Sequence, residues 1–221
     1  MNVRIEITYK TKKGTETSFI SEEMNVDKAI LIAEDLQNTG RVKNLTFIDN
    51  LDSAWSLKEI KKYIAEIETE PHNITVYFDG GFDIQTKMSG LGCVIYYEQN
   101  GKTWRLRKNV LVDSLDTNNE AEYAALHFAL QQLGELGAHH IPVTFIGDSQ
   151  VVINQLSGEW AVMEEVLNKW ADRVEEKQNK LGIRAEYSLV SRKQNQEADQ
   201  LASQALKEIE ISSILQLENG N

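Results

Sequence analysis

Three strand patterns follow one another with no helix between them, at Ile74–Asp79, Leu91–Tyr97 and Trp104–Val110. Only after them does the chain alternate helix and strand. Helical spacing is predicted over 118–136, 149–157, 162–180 and 195–210, with strands at Val143–Ile146 and Arg184–Val190. Three strands in meander order followed by right-handed αβ crossovers leave few topologies open. The expectation is a mixed five-stranded α/β sheet in the order 3-2-1-4-5, flanked by helices, with the first strand beside the fourth and parallel to it.

The first seventy residues read differently. Val3–Tyr9 alternates as a strand, Lys12-Lys13-Gly14 makes a turn, and Glu16–Ile20 pairs back. Val26, Ala29, Ile30, Ala33 and Leu36 recur at helix spacing and stop at Gly40; Leu45–Ile48 is a strand and Leu57–Ile67 a helix. This predicts a small α+β domain over residues 1–70. A polar stretch around Pro71, one of only two prolines, separates it from a domain over 73–210, with 211–221 as a C-terminal tail. Lys10, Lys12 and Lys13 read as a solvated hairpin tip, with a small basic patch as the alternative.

Composition removes several function classes. The chain is 41% hydrophobic and 26% charged, which suits a packed globular protein. No apolar run approaches the roughly 20 residues of a membrane helix, and the N-terminus has no apolar signal segment. The single cysteine, Cys93, rules out an intrachain disulfide and a multi-cysteine zinc site, and the cytoplasm is the expected compartment. The formal charge is −11, and both parts are acidic: 10 Lys+Arg against 13 Asp+Glu up to His72, and 13 against 21 after it. Such a chain does not coat nucleic acid by charge, and any polyanion it binds should be held weakly and salt-sensitively.

The acids are better read in place. Asp79, followed by Gly80 and Gly81, closes the first strand pattern of the second domain, and Asp148 closes the fourth. Taken singly, each has a structural role available: Asp-Gly is a turn dipeptide, and Asp148-Ser149 can cap a helix. Together they sit where strand order reverses, the usual ligand position in an open α/β sheet. Thr117-x-x-Glu120 fits a capping box, so Glu120 has a local use. Glu122 does not, and it shares a face with Leu126, Ala129, Leu133 and Leu136 that should pack on the sheet. A carboxylate there needs a partner. Asp199 lies in the first turn of the last helix, at the edge of its apolar face, where the dipole alone would favour it. Four carboxylates converging on one sheet end suit magnesium or manganese, and two such ions can drive phosphoryl displacement.

The segments Tyr-Phe-Asp-Gly-Gly (77–81), Thr-Asn-Asn-Glu-Ala-Glu-Tyr (117–123), Gly-Asp-Ser-Gln (147–150) and Asn195-x-x-Ala198-Asp199-x-Leu201-Ala202 resemble those of the type 1 ribonuclease H family. The resemblance spans about residues 73–208. It implies an endonuclease that cuts the RNA strand of RNA/DNA hybrids with two Mg²⁺ or Mn²⁺ ions, held by Asp79, Glu122, Asp148 and Asp199. It also implies nucleic-acid contacts for Gly80, Gly81, Thr117, Asn118, Asn119 and Gln150, with Thr117 at a phosphate and the amides at the hybrid's minor groove. The loop before Asp199 lacks the histidine of many members, and Arg192 takes its place as a phosphate-holding candidate. His139 and His140 read as loop residues. The basic protrusion of some members is absent around Trp160, and Trp160 and Trp170 are expected to pack rather than stack on bases. The alternative is a nucleic-acid-binding or regulatory module on the same fold with little activity. For the N-terminal part, substrate positioning, self-association and binding of a protein partner all stay open.

Overall fold

A computed structural model describes residues 1–218. They divide into two units, Met1–Ile67 and a second that begins at Glu68.

The first unit builds a sheet from β1 (Asn2–Lys10), β2 (Glu16–Ile20), β3 (Met24–Asn25), β4 (Val42–Asp49) and β5 (Ala54–Trp55), in the order β2-β1-β4-β5 with β3 also on β1. Two helices, α1 (Val26–Asn38) and α2 (Leu57–Thr69), accompany it. The periodic residues Val26, Ala29 and Ala33 meet Val3, Ile5, Phe47 and Ile60 in a small core. Asp49 is buried at the end of β4. There it accepts the indole N–H of Trp55 and the backbone N–H groups of Leu51 and Ser53, which hold its carboxyl below the usual range.

The second unit is built on β6 (His72–Asp83), β7 (Met88–Gln99), β8 (Lys102–Val112), β9 (Pro142–Gly147), β10 (Arg184–Leu189) and β11 (Ser212–Leu217). The sheet order is β10-β9-β6-β7-β8-β11. β6 runs parallel to β9 and β9 to β10, while the other neighbours are antiparallel. The five expected strands are therefore present in the expected order, and a sixth is added.

The helices are α3 (Asn118–Glu135), α4 (Gln150–Leu156), α5 (Glu165–Leu181) and α6 (Gln196–Leu206). Alternation along β6 sets the layers. Gly80 faces α3 so closely that a Cβ on it would stand 2.1 Å from the Ala121 carbonyl oxygen; Gly81 faces the other way, toward Leu206 of α6. The main core lies on the α3 side, where Leu126, Ala129, Leu130 and Leu133 meet Val76, Phe78, Ile95 and Phe145.

Three expectations are corrected. Residues 211–221 are not simply a tail, since Ser212–Leu217 pairs with β8. The last helix ends at Leu206, not 210, and Ile209 is 47% exposed. Both follow from buried Asn109 on β8: its amide donates to the carbonyls of Leu201 and Ile209, and its oxygen accepts from Ile211 N–H. The chain is turned out of the helix there, with Glu208 at φ 59, and enters the sheet. Thirdly, Trp160 is 45% exposed rather than packed, whereas Trp170 packs partly on the core, with Arg173 over its ring. His139 and His140 lie in the loop before β9.

Candidate active site

Asp79 was expected to end its strand, but β6 continues to Asp83 because Gly80–Asp83 still pairs with β7. What ends is the parallel pairing with β9, whose last partners are Tyr77 and Ile146. Asp79 thus lies just past the parallel stretch, and Asp148 follows the end of β9 directly. Glu122 reaches the same place from α3, brought there by the close approach over Gly80. Its Oε2 accepts the Gly80 N–H at 3.3 Å. One carboxylate oxygen from each of Asp79, Glu122 and Asp148 lies within 4.8 Å of the others.

Electrostatics set this group apart. Asp79 and Glu122 are 8% and 5% exposed. Burial, reinforced by the charges of Asp148 and Asp199, pushes the Asp79 carboxyl up to about 7. Burial together with Asp79 and Asp148 pushes Glu122 up to about 9. Carboxylates lifted this far lack a compensating positive charge. The donor set is all oxygen, with no histidine or cysteine, and it comes from three separate segments. It fits a hard divalent cation and does not fit zinc.

Asp199 is drawn aside from this trio. It lies in the first turn of α6, where Arg192 donates to its Oδ1 from Nε at 3.0 Å and from Nη2 at 2.5 Å. Arg192 starts a single 3₁₀ turn, Arg192–Gln194, and its side chain is 78% exposed. The bond to Asp199 raises the guanidinium's affinity for its proton still further.

The polar residues around the acids divide by position. Thr117 caps α3, its hydroxyl accepting Glu120 N–H, and Glu120 is used locally as expected. The Asn118 Oδ1 accepts Phe82 N–H, which ties the start of α3 to β6. Thr117, Asn118 and Gln150 are exposed, and Asn119 is half-buried. Gly80 is buried beneath α3, with its N–H already engaged by Glu122, while Gly81 is half-buried.

One residue is marked in the sequence only as a motif position. Asn195 precedes α6 as its N-cap, yet its side chain makes no cap hydrogen bond. It forgoes a role commonly worth about 1 kcal/mol. Instead its amide donates to the Phe78 carbonyl and to Asp148 Oδ1, both at 2.9 Å.

A family model described as reverse transcriptase-like matches residues 77–205, which takes in Asp79, Glu122, Asp148 and Asp199. The chain belongs to this family, within the ribonuclease H group. Among its relatives, the uncharacterized protein YpeP of Bacillus subtilis is 41% identical over 223 residues, covering 100% of this chain and 98% of YpeP. Ribonuclease HI of Halobacterium salinarum is 38% identical over 92 residues, 41% of this chain and 44% of that enzyme. The solved structure of LC11-RNase H1 in complex with an RNA/DNA hybrid superposes with a TM-score of 0.54 and 26% identity, covering 62% of this chain and 98% of that one. The second unit of this reverse transcriptase-like protein has the ribonuclease H fold.

Proposed function

We propose that this protein is an endoribonuclease that hydrolyses the RNA strand of RNA/DNA hybrids. One observation carries the reading. Three carboxylates from three segments meet at one sheet end, and two of them are lifted far above their usual range. The ribonuclease H relatives, one of them bound to a hybrid, support the choice of substrate.

Asp79, Glu122 and Asp148 would hold Mg²⁺ or Mn²⁺, two ions in all, with Asp199 joining once it is released from Arg192. When bound, the ions supply an activated water and stabilise the leaving oxygen of an in-line displacement. The protein's own groups bind and orient. Thr117 presents its hydroxyl at a helix N-terminus, where a phosphate is favoured. The amides of Asn118, Asn119 and Gln150 offer donors and acceptors to base edges and 2′-hydroxyls, whereas Gly80 is taken up by the packing of α3 and Gly81 faces α6. Arg192, which cannot act as a base, would exchange its bond to Asp199 for one to a phosphate.

A second reading, a binding or regulatory module with little turnover, draws on the Arg192–Asp199 pair, which keeps one of the four acids occupied. Incubation of the full chain with a labelled hybrid and Mg²⁺ or Mn²⁺ separates the two. Cleavage of the RNA strand, lost in Asp148→Asn, is the expected outcome. Binding without cleavage selects the second reading.

A further inference from the structure

We infer that Asn195 is a positioning residue that fixes the carboxylate of Asp148 for cation binding. The inference rests on the reading that Asp79, Glu122 and Asp148 hold a divalent ion. Asn195 is 1% exposed and stands where three acid-bearing segments meet. Its Nδ2 donates to the carbonyl of Phe78, the residue before Asp79, and to Oδ1 of Asp148. Its own carbonyl oxygen accepts the Asp199 N–H at 3.1 Å and starts the turn that places Asp199. One residue therefore joins the strand carrying Asp79 and the segment carrying Asp148 through its side chain, and the helix carrying Asp199 through its backbone carbonyl.

The orientation of the amide follows from its partners. Both neighbours of Nδ2 are pure acceptors, so the flipped amide would set Oδ1 against two oxygens. This orientation leaves Oδ1 buried without a hydrogen-bond partner among the described residues. An N-cap asparagine that leaves its helix uncapped and accepts an orphaned oxygen is placed for the bond to Asp148, not for the helix. The segment leading to it is also held. The Ser191 N–H and hydroxyl both donate to Gln194 Oε1, and Asn195 N–H donates to the Arg192 carbonyl. An outer hydrogen bond of this kind orients a metal-binding carboxylate, and its loss commonly weakens metal affinity about 10- to 100-fold.

The test separates positioning from stability. Serine at 195 can cap α6 but is too short to bridge Phe78 and Asp148, so Asn195→Ser should retain the melting temperature while losing the bridge. Calorimetric titration of the full chain with Mg²⁺ and with Mn²⁺ should show affinity reduced about 10- to 100-fold in both Asn195→Ser and Asn195→Ala. KM for a hybrid should stay within twofold, and kcat should recover toward the wild-type value at saturating metal. Unchanged affinity in folded Asn195→Ser overturns the inference alone. So does an Asn195→Ser chain that cannot fold, because the amide is then holding the fold. A wild-type protein that takes up neither ion overturns the metal reading, and this inference with it.

Discussion

Asp79 and Glu122 are nearly sealed from solvent, and among the described residues no Lys or Arg forms an ion pair with either. Asp199 is attached to the same site but is met by the exposed guanidinium of Arg192. The difference lies in the elements that carry them. Glu122 is pressed inward because α3 must lie against Gly80, and Asp79 is buried on the neighbouring position of β6. Asp199 is in the first turn of α6, and the 3₁₀ turn before that helix brings Arg192 back to it. The buried acids have no cationic side chain of the protein paired with them among the described residues. The rim acid is neutralised by the chain itself, through Arg192.

The buried side of this comparison is broken most severely by Glu122→Gln. At pH 7 Glu122 carries a proton in the metal-free protein, because its carboxyl is pushed up to about 9. Glutamine is then nearly isosteric with what it replaces, and its oxygen can still accept Gly80 N–H. Metal-free stability at pH 7 should change by less than about 1 kcal/mol. Hybrid cleavage should fall on the order of a thousandfold, the scale on which loss of a charge-stabilising group reduces turnover. The rise in melting temperature on adding Mg²⁺ should also shrink. Retained cleavage in this variant would show that Glu122 is not a ligand.

A pH series of the metal-free protein sharpens the same contrast. The folded pKa values of Asp79 and Glu122, about 7 and about 9, lie above the ordinary values of 3.8 and 4.5. The folded chain therefore binds these protons more tightly than the unfolded chain. The resulting stability is fully present below about pH 4 and is lost as pH rises through about 7 and then about 9. Other carboxylates titrate at the acid end, so the window to read is pH 6 to 9. The melting temperature should decline across it, by an amount on the order of a few kcal/mol in stability. Saturating Mg²⁺ should flatten the decline, since a bound cation replaces the protons. A metal-free curve that rises over this range contradicts the uncompensated cluster.

How much of this was legible in the sequence depends on the range of each determinant. Glu122 could be chosen over Glu120 because helix periodicity is local: four positions sharing a face are visible in any window, and the face does pack as expected. The sheet order followed from strand patterns and the handedness of crossovers. Asn109 was not legible. Its partners, Leu201, Ile209 and Ile211, lie about a hundred residues away, so neither the early end of α6 nor the sixth strand had a local signal. Asn195 stands in the sequence only as a motif position, and only its bond to Asp148 shows what its side chain holds. The Arg192–Asp199 pair spans seven residues across a 3₁₀ turn, a spacing no regular helix would bring together.

The rim side of the comparison predicts the smallest effect. Arg192→Ala frees Asp199 but removes an ion pair whose arginine is largely in water, so stability should change by less than about 1 kcal/mol. If the guanidinium holds a phosphate of the hybrid, cleavage should fall about tenfold, the loss appearing mainly in KM and growing as salt is lowered. If its main effect is to keep Asp199 occupied, the variant should instead bind Mg²⁺ more tightly, with KM unchanged. Steady-state kinetics at two salt concentrations, run beside a metal titration, separate these outcomes. Arg192→Lys refines the answer: lysine keeps the charge but loses the paired Nε and Nη2 donors, so rescue by lysine would mean that charge alone is required.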